Sequence, residues 1–191
     1  MTKLIYGVGY NSRVPYKASE NNIVTKAYHA WYDMLGRCHC PKLQIKNPSY
    51  IGCTVHPDWL DFQNFAKWYY SHEYSDKGYD LDKDILYPKN KTYSPETCCF
   101  VPRALNILLI DRKRTRGKHP QGVYFSKSRG KYQAQISIDG KTKNLGRFNC
   151  PNEAYQAHKT AKEAYVKEKA LEWQDRIANN VFVALMNWKL S

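Results

Sequence analysis

Lys131-Tyr-Gln-Ala-Gln-Ile-Ser-Ile138, then Asp139-Gly140, then Lys141-Thr-Lys-Asn-Leu-Gly-Arg-Phe148 is the stretch that decides the fold. Tyr132, Ala134, Ile136 and Ile138 alternate with Lys131, Gln133, Gln135 and Ser137. A period of two is that of a strand with one packed face and one free face. Asp-Gly between two such runs signals a tight hairpin, because both residues tolerate positive φ. Upstream, Gly122-Val-Tyr-Phe125 predicts a shorter strand. Downstream, Pro151 suits the first turn of a helix and Glu153 its positive end. Ala154, Ala157, His158, Ala161, Ala164 and Tyr165 then recur at helical spacing, and small alanines let a helix lie close to a sheet. His158, on that apolar stripe, reads as a packing residue. The expectation is three antiparallel strands backed by one helix, with a free face of basic and amide side chains.

The charge lies in the same region. The 191 residues carry 30 Lys and Arg against 17 Asp and Glu, a net charge of +13. Twelve of the basic residues and only two acids, Asp111 and Asp139, fall between Arg103 and Arg147. Aromatics (Tyr124, Phe125, Tyr132) are interleaved with them, which points to a polyanion and to phosphate contact. Asp111 to Pro120 has no apolar residue and reads as a basic linker, with Arg112, Lys113, Arg114, Arg116 and Lys118 available to lie along a DNA groove. A chain 42% hydrophobic and 14% aromatic can build a core, which excludes wholesale disorder. Its longest apolar run, Val181 to Met186, is far too short to span a bilayer. Met1-Thr-Lys-Leu-Ile-Tyr-Gly7 has no apolar signal core, so a cytoplasmic protein without a membrane partner is expected.

Gly122-Val-Tyr-Phe, Tyr132-Gln-Ala-Gln-Ile, Leu145-Gly-Arg-Phe and Glu153-Ala-Tyr-Gln-Ala-His together resemble an Apetala-type DNA-binding domain, the ethylene-response-factor fold. The likeness covers about residues 117–165. It implies sequence-specific reading of double-stranded DNA by the sheet, carried here by Lys127, Arg129, Lys131, Gln133, Gln135, Lys143 and Arg147. In a major groove, Gln and Arg bond base edges and Lys engages phosphate.

The N-terminal part alternates aromatic helices with polar loops. Tyr28, Trp31, Met34 and Leu35 stripe a helix from Lys26 to Arg37, and Phe62, Phe65, Ala66 and Tyr69 stripe another from Asp61 to Ser71. Between them Pro41, Pro48 and Pro57 predict loop. Ser94-Pro95 reads as an N-cap and first-turn proline, and Pro102 opens a helix to Ile110 with Leu105, Leu108 and Leu109 inward. Trp173, Ile177, Val181, Leu185 and Trp188 stripe a C-terminal helical tail that either packs back or dimerises, leaving monomer and homodimer both open. The expected organisation is α+β: residues 1–110, a linker at 111–120, the sheet domain at 121–165 and the tail at 166–191.

Trp31-Tyr-Asp-Met-Leu-Gly-Arg-Cys, Cys53-Thr-Val-His-Pro-Asp-Trp, Leu81-Asp-Lys-Asp-Ile-Leu and Tyr93-Ser-Pro-Glu-Thr-Cys resemble phage HNH-type homing endonucleases. Those enzymes commonly join a ββα-metal unit to an Apetala-type domain. The resemblance implies a site-specific, metal-dependent endonuclease in which Asp82 binds Mg²⁺ or Mn²⁺, Asn90 orients water, and Lys83 stands where the family has its basic His. Thr97 stands near the last metal ligand, and Asp84 is the substitute carboxylate. A protonated lysine cannot accept a proton, so a DNA-binding protein without nuclease activity, acting in phage regulation or counter-defence, is the alternative. Cys38, Cys40, Cys53, His56, Cys98 and Cys99 admit two readings as well: buried free thiols, or a structural zinc held by Cys38, Cys53, His56 and Cys98.

Overall fold

In the computed structural model, which describes residues 4–110 and 118–190, Thr25 opens the first helix, α1 (Lys26–His39), by accepting a bond from Tyr28 N at 3.3 Å. Asp61 does the same for α3 (Phe62–Ser71), taking Gln63 N at 3.1 Å. Both helices fall where the apolar stripes predict them, and α1 packs on α3. Between them lies α2 (Pro41–Lys46), a short helix where prolines predicted loop. Pro41 sits at its start, where the missing N–H costs nothing, so here proline starts a helix rather than breaking one. Trp31, Trp59, Phe62, Phe65 and Phe100 form an aromatic core, and the buried Trp31 indole donates to Trp59 O at 2.7 Å.

Small strands decorate this core. β1 (Ser19–Glu20) and β2 (Ile23–Val24) form a hairpin over Asn21-Asn22, both at positive φ. β3 (Thr54–Val55) runs parallel to β5 (Thr92–Tyr93), and β4 (Asp80–Asp82) runs antiparallel to β6 (Cys99–Val101). Between β5 and β6 the chain makes a single turn, with Thr97 N and Cys98 N both donating to Ser94 O, rather than the helix expected after Ser94. The apolar run Cys98 to Val101 must reverse at once to pair with β4, which leaves no room for a helix. α4 (Arg103–Leu109) follows, with Leu105 buried and Leu108 and Leu109 half-buried.

The chain divides into two compact units, Met1–Arg103 and Ala104–Ser191. The second is built on a three-stranded antiparallel sheet of β7 (Val123–Ser126), β8 (Lys131–Ile138) and β9 (Lys141–Phe148), in that order. Asp139 and Gly140, both at positive φ, make the hairpin turn. Helix α5 (Pro151–Trp173) covers one face of the sheet, around Val123, Ala134 and Ala154. It runs unbroken past residue 165, so that boundary falls inside a helix. Its buried positions are Ala154, His158, Tyr165, Val166 and Ala170; Ala164, expected on the stripe, is exposed. α6 (Asn179–Met186) packs on α5, burying Val181 and Leu185 within one chain. Among the described residues no helix is long and apolar enough to cross a membrane.

Candidate functional site

The sheet's free face is set by pairing register. Directly opposed residues of an antiparallel pair share a face. Tyr124 opposes Gln133, which opposes Arg147; Ser126 opposes Lys131. Beyond that row the ladder slips. Ala134 pairs with Gly146 but Gln135 pairs with Asn144, so Leu145 is an extra residue in β9. Gly146, at φ +130°, supplies the backbone that this bulge requires. The bulge reverses the alternation of β9. Asn144 and Thr142 join Gln135 and Ser137 on the free face, whereas Lys143 opposes the buried Ile136 on the helix side. Lys143 and Arg147 therefore do not share a face, contrary to the simple period-two reading of the sequence. Glycine inside a strand was the signal that could have exposed this.

Of the expected DNA contacts, Lys118, Lys127, Arg129, Lys131, Gln135, Lys143 and Arg147 are exposed. Gln133 is not: it is 7% exposed, and its side-chain oxygen accepts a bond from the Tyr124 hydroxyl. Lys131 reaches the Asn149 side-chain oxygen. Arg112, Lys113, Arg114 and Arg116 lie outside the described residues. The hairpin tip is pinned to α5: Tyr165 Oη donates to Asp139 Oδ1 at 2.9 Å and Lys169 bridges Asp139 at 3.0 Å. These partners hold the Asp139 carboxyl below its ordinary range, the Lys169 bond first.

In the N-terminal unit the strand end and the following loop bring Asp82, Lys83, Asp84 and Asn90 together. Asp82 Oδ1 accepts from Asp84 N at 2.7 Å and Ile85 N at 2.8 Å, closing the turn after β4. Lys83 is 4% exposed; its ammonium donates to Asp84 Oδ1 at 2.7 Å and Asn90 O at 2.6 Å, beside the Tyr93 ring. Asn90 spends its amide on the loop: Nδ2 donates to Lys83 O and Thr92 O, and Oδ1 accepts from Thr92 N. Thr97 closes the neighbouring turn, donating to Thr92 O at 2.8 Å.

Much of this donor set is engaged within the loop itself. Of the two carboxylates, one already holds a buried ammonium, and Asn90, cast as a water-orienting group, is saturated by backbone. Among the described residues, no three or more His, Cys, Asp or Glu side chains gather to hold a metal. Cys38, Cys53, His56 and Cys98 thus form no single tetrahedral set. His56 Nδ1 instead accepts from Asp58 N, and burial pushes the Cys38 and Cys98 thiols up to about 12.

No protein-family model, curated protein or solved structure matches this chain.

Burial also pushes the Asp82 carboxyl above its ordinary value, against the two backbone N–H groups that lower it. A raised carboxyl value means that the charged form costs folding stability at neutral pH, and that this cost vanishes as pH falls below about 4, where the unfolded carboxyl is itself protonated. Asp82→Asn keeps an acceptor for Asp84 N and Ile85 N. It is expected to raise the thermal unfolding midpoint at pH 7, with the gain shrinking to nothing in acid. An unchanged or lower midpoint at pH 7 would contradict this account.

Proposed function

We propose that this chain binds double-stranded DNA through the free face of its C-terminal sheet. The observation that carries the reading is the composition of that face. A water-facing ribbon presents Gln135, Asn144, Ser137, Thr142 and Arg147, with Lys118, Lys127, Arg129 and Lys131 exposed on or beside it. Hydrogen-bonding side chains along β8 and β9, with cations in and beside the β7–β8 connection, suit a major groove, which offers base edges next to phosphates. The likeness of residues 117–165 to the Apetala-type domain supports the same reading.

The N-terminal unit is then an HNH-like scaffold that binds without hydrolysing. Lys83 is the reason: its ammonium is buried on Asp84 and Asn90 O, where the HNH-type enzymes it resembles need a proton acceptor. A second reading, a metal-dependent homing-type endonuclease, is favoured by Asp82. Its carboxylate accepts Asp84 N and Ile85 N through Oδ1, and Oδ2 has no hydrogen-bond partner among the described residues.

One set of assays separates these. Labelled duplex DNA is challenged with unlabelled duplex, RNA and heparin at fixed salt, and supercoiled DNA is incubated with Mg²⁺ or Mn²⁺. Duplex competing best, with no nicking, supports the binding reading. Nicking that Asp82→Ala abolishes while binding persists establishes the endonuclease. RNA competing best overturns both.

A further inference from the structure

Gln135 has its backbone tied down on both its N–H and its carbonyl. Its backbone N donates to Gly122 O at 2.9 Å, and its carbonyl lies 2.8 Å from His158 Nδ1, which must carry the proton to donate there. The side chain, by contrast, is exposed and makes no hydrogen bond with any described residue. A fixed backbone under a free carboxamide is the arrangement that a base-reading residue needs, since little freedom is lost when it engages.

The bulge places a second carboxamide beside the first. Asn144 stands directly opposite Gln135 and is exposed; its Oδ1 accepts from Gly146 N at 2.8 Å, leaving Nδ2 and a second lone pair. The neighbouring row is Gln133 and Arg147. Gln133 is occupied by Tyr124, so Arg147 is the group in that row that faces outward unencumbered. The free face thus shows one carboxamide pair and, two residues along β8, one guanidinium.

We propose that Gln135, aided by Asn144, reads an adenine in the major groove and that Arg147 reads a guanine two base-pair steps away. This rests on the duplex-binding reading above and specifies its target. A carboxamide offers one donor and one acceptor in the spacing of adenine N7 and N6, and a guanidinium fork matches guanine O6 and N7. Two residues of strand advance about 6.7 Å, and two base-pair steps advance about 6.8 Å along the helix axis. Adjacent rows of a strand lying along the groove therefore meet bases separated by one intervening pair.

The test is enrichment of duplexes from a randomised library by the full chain and three variants, Gln135→Glu, Asn144→Asp and Arg147→Ala. The unmodified chain is expected to enrich an A·T pair separated by one position from a G·C pair. Gln135→Glu turns a mixed donor–acceptor into an acceptor, which suits the cytosine amino group. It is expected to move the first preference from adenine to cytosine by roughly tenfold to a hundredfold. Asn144→Asp keeps the bond to Gly146 N and should move the same position in the same direction, so the test survives if the first variant misfolds. Arg147→Ala is expected to relax the guanine position alone. Duplex binding with an adenine preference that neither acidic variant shifts overturns the assignment while leaving duplex binding intact. Failure of the unmodified chain to retain any duplex at low salt overturns the binding reading and this one with it.

Discussion

Duplex affinity is expected to fall by about a hundredfold when salt is raised from 50 to 200 mM. The figure comes from counting the exposed cations on or beside the free face, Lys118, Lys127, Arg129 and Lys131, with Arg147 reserved for a base. Each phosphate neutralised releases counterions, giving a slope of about −0.9 per contact in a plot of log affinity against log salt. Four contacts give a slope of about −3.6, and a fourfold change in salt raised to that power gives the roughly hundredfold loss. Fluorescence anisotropy over a salt series measures the slope directly. Lys127→Ala and Arg129→Ala should each flatten it by about 1 without altering base preference, because a phosphate carries no sequence information. A slope near zero would show that the cations do not grip a backbone.

Gly122→Ala is expected to destabilise the C-terminal unit by about 2–6 kcal/mol. Gly122 has φ +70°, and a Cβ built there would lie 2.0 Å from His158 Nδ1, inside the ring. Backbone held at positive φ by a residue with a Cβ costs about 1–3 kcal/mol. Displacing the imbedded imidazole also breaks its bond to Gln135 O, and losing a buried bond costs about 1–3 kcal/mol more. For a unit of this size such a loss lowers the unfolding midpoint by roughly 10 °C or more. Duplex binding should weaken in parallel, since Gln135 loses the His158 anchor of its backbone. Because the defect is confined to Ala104–Ser191, a two-step melt is expected, with the transition of the aromatic N-terminal core unmoved. A melt that keeps the unmodified profile would mean that the ring swings aside at little cost.

The same clamp shows how far the sequence could be read. His158 was legible as a packing residue because it sits on an alanine stripe, and it is indeed buried. Its bond to Gln135 O was not legible, because that contact joins residues 23 apart in the chain. The strands of the C-terminal sheet and the Asp139-Gly140 turn could be placed from alternation and turn chemistry, which are local. The facing of β9 could not. One bulge residue inverts every side chain beyond it, and only pairing with β8 reveals where the extra residue falls. Alternation alone therefore puts Lys143 on the free face with Arg147, whereas the pairing puts Asn144 there.

The N-terminal unit divides in the same manner. Helices α1 and α3 follow from the spacing of Trp31, Leu35, Phe62 and Phe65 and from the caps Thr25 and Asp61. The short α2 was hidden behind a proline whose meaning depends on which side of the helix boundary it stands. Asp82, Lys83, Asp84 and Asn90 could be singled out by type and order. Their partners depend on how the loop folds back: Lys83 turns inward onto Asp84 and Asn90 O, and Asn90 knits the loop together.

The sequence by itself determined the charge of this protein and the local periodicities of its helices and strands, because both are properties of neighbouring residues. Tertiary structure alone decided which cations and amides share the sheet's free face, and whether Lys83 points at solvent or at a carboxylate. Those outcomes depend on register and burial, which arise only when segments far apart in the chain are brought into contact.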